Sequence, residues 1–429
     1  MRRHRASCSG ARLFLFSLPV LLLVFLGVNR LRNLPLDEKE NGVIVLIPDG
    51  GLANRLGALV GGVVLARLTQ RRLVLDWRIY PGVCSADFRD LFMEADFVST
   101  DIPHFRKGEG INLLWAPTQV SAVVYQPFLC ENLKTLFGSY PPVVTLHVNQ
   151  YLVPFILGNI HHSADVLHAF GPRPFLNITE GLAPIPMIKE LANELINDSA
   201  FVIGVQVRAT DQWFSATKPS VFMDCLSNLI DVLTGSLPDT DPSVTPALSS
   251  EYVSLLKLSM EYTGVIDLFD STNITRLAAT FQKEISARSL QGISAQTLKV
   301  LLITDSEEMK ATFSKRFGKL LATSMLPADR TTRLGMQHAL AELCALSRAD
   351  VMLFTFASTF GDAARNMRGD ATAFEVHSAL APACPLVLRP DFCSHTWASV
   401  VKSDSIHCPL SGLFPETHLW NKDCFFDSG

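Results

Sequence analysis

Three stretches of this 429-residue chain end a run of apolar, β-branched residues with a side chain that could do chemistry. Phe201 to Val207 is followed by Arg208, with Thr210 and Asp211 just beyond. Lys299 to Ile303 is followed by Asp305, and Val351 to Phe356 by Ser358 and Thr359. In an open α/β sheet, ligands bind beyond the carboxyl ends of the strands. A guanidinium there can grip both oxygens of a phosphate or carboxylate. A carboxylate there can bind ribose hydroxyls or the N–H edge of a base. Two hydroxyls at a helix N-terminus, beside free backbone N–H groups, can hold a phosphate. Each has a purely structural alternative. Arg208 could cap its strand and pair with Asp211, Asp305 could cap a helix starting near Ser306, and Ser358 with Thr359 could be an ordinary cap. Three such loops in one half of the chain form one rim of a crevice.

Another loop of this kind is Pro48-Asp49-Gly50-Gly51-Leu52-Ala53-Asn54-Arg55. It lacks the G-x-G-x-x-G pattern of nicotinamide and flavin sites and the Lys-Ser/Thr pair of a Walker loop. Asn54 and Arg55 are its polar side chains. Either Arg55 faces a substrate, or the turn is structural and its Asn caps the helix. His338 and Glu342, four apart on one helix face, could be a general base and its orienting partner, or a surface pair.

The elements that must position these groups follow from hydrophobic period. Val43 to Ile47, a helix over Leu56 to Leu68 and a strand over Leu73 to Trp77 make one βαβ unit. Asp87 to Phe97 reads as a short amphipathic segment and Val143 to Tyr151 as a strand. After a Pro-rich connection and a helix over Met187 to Leu195, the boundary falls near residue 195. A helix then runs through Leu233, and further helices cover the stretch after Ser306, Leu334 to Ser347 and the residues up to Met367. The expected organisation is a tail over 1–12, an anchor over 13–28, a stem over 29–41, a first domain over 42–195, a second over 196–375 with an insertion at about 235–297, and a Cys-rich tail over 376–429. The length favours two domains. A hydrophobic content of 48% with 18% charged residues is globular. A net charge of −4 argues against a nucleic-acid partner.

The apolar run from Leu13 to Val28 follows Arg2, Arg3, Arg5 and Arg12. As a helix it spans roughly 24 Å, a short membrane crossing. No small-residue cleavage site follows Gly27, so the run reads as an uncleaved anchor rather than a signal peptide. Positive charge before it keeps the N-terminus cytoplasmic and the remainder lumenal, and its shortness suits a thin early-secretory membrane. Sequons at Asn177, Asn197 and Asn273 agree, read as exposed loops carrying glycans. Cys384, Cys393, Cys408 and Cys424 crowd the tail and read as two disulfides rather than a zinc site, while Cys225 and Cys344 read as plain buried thiols.

Four blocks in order resemble a known family. Gly50 to Leu56 is similar to the GGLGNR-type loop of fucosyltransferases of the plant xyloglucan and bacterial nodulation-factor type. Gly204 to Arg208 resembles their G-I-Q-I-R or H-x-R segment, and Leu302 to Glu307 their A-T-D-S-E segment. Ala339 to Leu343 together with Ser358 to Gly361 is similar to their A-L-x-E-L…S-T-F-G block, which includes Phe360. The resemblance implies a GT-B fold, with two Rossmann-like domains facing across a cleft, and GDP-fucose as donor without cofactor or obligatory metal. It implies that Arg208 holds the pyrophosphate, Ser358 and Thr359 the β-phosphate, and Asp305 the guanosine. Gly50, Gly51, Asn54 and Arg55 would line the donor side from the first domain.

Ala53 departs from the family's usual Gly. Gln206 replaces the His of the α1,6- and protein-O-fucosylating branches and favours an α1,2 link to galactose. Asp211, Glu342 and Asp305 are the candidate bases, with Asp211 preferred. The expected partners are GDP-fucose, a polysaccharide or glycoprotein glycan acceptor and the Golgi membrane, with room for a homodimer. A GT-B transferase using another nucleotide sugar and a non-catalytic glycan-binding protein are the alternatives. Asp239-Thr-Asp241 is the one nominal metal motif and lies in a Pro/Ser-rich stretch.

Overall fold

The structure is a computed structural model. It describes residues 41–102, 110–115, 127–196, 201–209, 219–234, 298–323, 329–355, 358–368, 372–376 and 386–387. The expected anchor, the sequons at Asn197 and Asn273, the insertion, Asp211, the Asp239–Asp241 motif and the tail cysteines lie outside these residues.

Two sheets organise the chain. The first has the strand order β2-β1-β4-β3, all parallel, from β1 (Val43–Pro48), β2 (Arg72–Leu75), β3 (Gly110–Trp115) and β4 (Val143–Val148). The second has the order β10-β9-β8-β5-β6-β7. It is built from β5 (Phe201–Val207), β6 (Leu298–Thr304), β7 (Leu321–Thr323), β8 (Val351–Thr355), β9 (Thr372–Val376) and β10 (Leu386–Val387). Its pairs are parallel except β9 with β10. The continuous Val, Ile and Leu runs of β1, β5, β6 and β8 follow from this: parallel strands covered on both faces gain nothing from polar alternation.

Helices cover the sheets. α1 (Leu52–Thr69) packs on β1 and β2 and is the central helix of the first sheet. It is the one described helix long and apolar enough to cross a membrane, yet 89% of it is buried in the protein. It ends where Gln70 turns left-handed, with φ 53°, and not at the Arg71-Arg72 pair. Arg71 instead reaches 2.7 Å to the Phe137 carbonyl and 2.9 Å to that of Pro141, tying the turn before β4 to the helix end. The short helices α2 (Leu133–Gly138), α3 (Val153–Gly158), α4 (Ser163–Phe170) and α5 (Pro174–Thr179) follow, then α6 (Pro186–Leu195). The second sheet carries α7 (Pro219–Thr234), α8 (Glu307–Phe317), α9 (Arg333–Leu346) and α10 (Thr359–Arg368). A core of Ile203, Val205, Phe222, Leu226, Val300, Leu302, Phe313 and Leu353 lies between them.

The halves meet through helices. α9 packs on α6, and α10 packs on α1 and α5. Gln337 donates to the Asp90 carbonyl at 2.9 Å, and Arg333 lies 3.6 Å from the Asp90 carboxylate.

Two sequence expectations change here. Asn177 is not on an exposed loop: it sits half-buried in α5 and donates its amide to the Phe170 carbonyl. Cys225 is not a plain thiol: it is disulfide-bonded, as is Cys130. A cysteine on an apolar helix face looks the same in sequence whether or not a partner reaches it. Cys344 is a free thiol that burial pushes up to about 11.

Candidate active site

The strand order of the second sheet places its chemistry. From β5 the chain winds outward to β6 and β7, then returns to β8 on the other side of β5 and continues to β9. The winding reverses between β5 and β8, and such a reversal opens a crevice at the carboxyl ends of the strands. Arg208 leaves β5 there, Asp305 leaves β6, and Ser358 opens the turn into α10 after β8. The three loops that the sequence marked out therefore sit side by side.

Backbone and side-chain bonds fix that edge. The Arg208 N–H donates to Thr355 Oγ1 at 2.9 Å, and the Ala209 N–H donates to Asp305 Oδ1 at 2.9 Å. Gln206, 6% exposed, turns its Oε1 toward the Thr355 N–H at 3.4 Å. It braces β8 against β5. Burial lowers the Arg208 pKa below the usual guanidinium value; nearby Arg330 lowers it further and Asp305 opposes. Asp305 does not cap α8. That role falls to Ser306, whose hydroxyl accepts the Met309 N–H at 3.2 Å.

Ser358 and Thr359 separate in role. Ser358 is fully buried and its hydroxyl accepts the Gly361 N–H at 3.4 Å, so it caps α10. Thr359 lines the open cleft. Phe360 is half-buried in the first turn. A Cβ at Gly361 would come within 2.5 Å of the Phe354 ring, so only glycine lets this turn press against β8. Within α10, the buried Arg365 pairs with Asp362 at 3.0 Å and stacks 5.7 Å over Phe354.

The first sheet reverses in the same way between β1 and β4. The glycine loop leaves β1, and Asn149, Gln150 and Tyr151 leave β4. Gly50 has φ 81°, a left-handed turn that suits glycine, and its N–H donates to Asp49 Oδ1 at 2.7 Å. Gly51 is the N-cap of α1 without a side-chain bond, so Asn54 does not cap the helix. Asn54, Asn149 and Tyr151 line one wall of a cleft whose other wall is Thr359, Asp362 and Asn366 of α10. The cleft thus joins the two reversal points.

Arg55 does not face that cleft. It is 0% exposed, donates from Nε to the Gly50 carbonyl at 2.9 Å and from Nη1 to the Arg78 carbonyl at 2.7 Å. Its guanidinium lies 5.0 Å from the Trp77 ring and 5.3 Å from the Tyr80 ring. Burial lowers its pKa, opposed by Cys84, Asp49 and Tyr80. Arg55 fastens the glycine loop from beneath. Glu342 and His338 are likewise not a surface pair: each is 7% exposed on α9.

Thr355, Arg330 and His147 do not stand out in the sequence. Thr355 is hidden as one more residue of a β-branched run. Arg330 lies 3.9 Å from Asp305, and its signal was the Asp-Arg-Thr-Thr turn ahead of a helix. His147 is held below the usual imidazole value by burial and Arg78, against Asp76 and Asp49. Among the described residues, no group of three or more His, Cys, Asp or Glu side chains is placed to hold a metal ion.

No family model matches the chain, and no curated protein matches it. Solved structures do. One is an Arg-to-Lys mutant of FUT1 from Arabidopsis thaliana in complex with GDP, at 17% identity, with 87% of this chain and 79% of that chain covered and a TM-score of 0.54. Another is the NodZ alpha-1,6-fucosyltransferase soaked with GDP-fucose, at 14% identity, with 82% and 100% covered and a TM-score of 0.48. The likeness to FUT1 is one of fold: this chain has an α/β fold with parallel sheets similar to that of the FUT1 structure.

Proposed function

We propose that this chain is a fucosyltransferase that moves fucose from GDP-fucose to a glycan acceptor. The observation that carries this reading is the convergence of Arg208, Asp305 and the start of α10 at the reversal point of the second sheet. This supports a donor site on the second half and an acceptor side on the first, in domains over 196–375 and 42–195. The FUT1 structure of the same fold was solved with GDP.

In this reading the acceptor hydroxyl attacks the anomeric carbon of fucose from the face opposite the departing GDP, which inverts the configuration. Negative charge grows on the β-phosphate as the bond breaks. In this reading Arg208 and the N-terminus of α10 offset it without a metal, because fixed donors in a partly buried cleft stabilise developing charge. Asp305, bonded to the Ala209 N–H, holds the Arg208 turn and in this reading faces the guanosine. Asp211 and Glu342 are the acidic groups proposed to take the acceptor proton, with Asp211 preferred. Gln206 supports an α1,2 link to galactose. The N-terminal apolar run and the sequons support a single-pass Golgi protein with its catalytic part in the lumen.

A sugar-nucleotide panel tests the reading. GDP-fucose should release GDP in the presence of a galactose-terminated acceptor and EDTA, while UDP sugars and other GDP sugars should not be turned over. Preferential release of UDP would move the chain to another nucleotide-sugar class. Binding without turnover of any donor would mark a glycan-binding protein.

A further inference from the structure

We propose that Arg330 is the second arm of an arginine clamp on the diphosphate of a nucleoside diphosphate, facing Arg208 across Asp305, an inference that rests on the donor reading above. Arg208 and Asp305 leave adjacent parallel strands in register, Val207 beside Thr304. Asp305 Oδ1 takes the Ala209 N–H, and Oδ2 lies 3.9 Å from Arg330 Nη2. That separation is long for a guanidinium–carboxylate pair, which closes to about 2.8 Å when engaged. Arg78 and Asp76 in this chain do close, to 2.8 Å. Arg330 also keeps 53% of its side chain exposed. Its fork is tethered near the site but not consumed there. Arg208 and Arg330 meanwhile oppose each other as like charges. An anion with several oxygens would take donors from both and relieve that opposition.

The turn that presents Arg330 is built to hold it. The Asp329 carboxylate accepts the Thr331 N–H at 2.9 Å and the Thr331 hydroxyl at 2.6 Å. Thr332 Oγ1 accepts the Gly335 N–H at 3.0 Å and caps α9. A Cβ at Gly335 would stand 1.8 Å from the Asp329 carbonyl oxygen, so the turn folds onto the helix only over glycine. The backbone of Arg330 is therefore fixed, and only its side chain is left to adapt.

Calorimetry on the full chain with GDP, guanosine and inorganic pyrophosphate tests this. Arg330→Gln should weaken GDP and pyrophosphate about tenfold, as expected for a lost charge-assisted bond, and leave guanosine unchanged. Arg330→Lys should recover only part, because a point charge does not replace the fork. Unchanged GDP affinity in Arg330→Gln overturns the clamp. So does an equal loss of GDP and guanosine, which would mean that Arg330 acts only by orienting Asp305. If the wild type binds pyrophosphate in an Arg330-dependent way but shows no preference for GDP, the clamp stands and the GDP-fucose reading fails. If it binds neither, both fail. Unfolding curves of the variants should overlay the wild type, since the side chain is exposed.

Discussion

The Thr355 hydroxyl accepts the backbone N–H of Arg208 at 2.9 Å, bonding the last residue of β8 to the first residue beyond β5. The reversal point is thus closed by a side chain that is 0% exposed. Thr355→Val keeps the shape and removes the acceptor. We expect a loss of about 1–3 kcal/mol in unfolding free energy, since a buried donor loses its partner, and a several-fold weaker affinity for GDP. Thr355→Ser should restore both. Thermal unfolding and GDP titration check this; equal behaviour of the Val and Ser variants would separate Thr355 from the site.

Arg55 should act on stability before it acts on activity. Its guanidinium bonds the carbonyls of Gly50 and Arg78 and sits against Trp77 and Tyr80. Arg55→Ala should cost ~3 kcal/mol, because it strands carbonyls that Arg55 serves and empties a filled volume. Denaturant midpoints read this directly. A variant as stable as the wild type but inactive would return Arg55 to the substrate-facing role.

Acid stability should depend on His162. The Leu133 N–H donates to its Nε2 at 2.7 Å in a site where the ring is 1% exposed. Burial lowers its pKa first and Lys134 second, against Asp165. A depressed imidazole pKa means that the neutral form is the one the fold stabilises. The contribution is then complete above the ordinary imidazole value of about 6.5 and is lost as pH falls through the lower folded value. Urea midpoints at neutral and mildly acid pH should diverge less for His162→Gln than for the wild type. An identical pH response in both proteins would rule out His162 as the source.

Much of the fold could be read from residues, because buried parallel strands announce themselves as unbroken apolar runs. The expected strands over Val43 to Ile47, Phe201 to Val207 and Lys299 to Ile303 match β1, β5 and β6 to within a residue or so at each end. The rim formed by Arg208, Asp305 and Ser358 was legible for the same reason, each lying at the end of such a run. Roles within the rim were not. Sequence spacing cannot tell which of Asp305 and Ser306 caps α8, since both are good caps one residue apart. Nor can it tell a buried Arg55 from a ligand-facing one, since the deciding partners are backbone carbonyls and two rings from the segment after β2. Strand order, which sets Thr355 beside Arg208, depends on pairing between distant segments.

The most direct measurement is acceptor-dependent release of GDP from GDP-fucose, in EDTA, by the wild type, Arg208→Lys and Arg208→Ala side by side. The account predicts clear turnover by the wild type and a loss in Arg208→Lys nearly as deep as in Arg208→Ala, because a single ammonium cannot replace the bidentate fork. Turnover and GDP affinity near wild type in the Lys variant, or activity that vanishes with EDTA and returns with Mn²⁺, would contradict it.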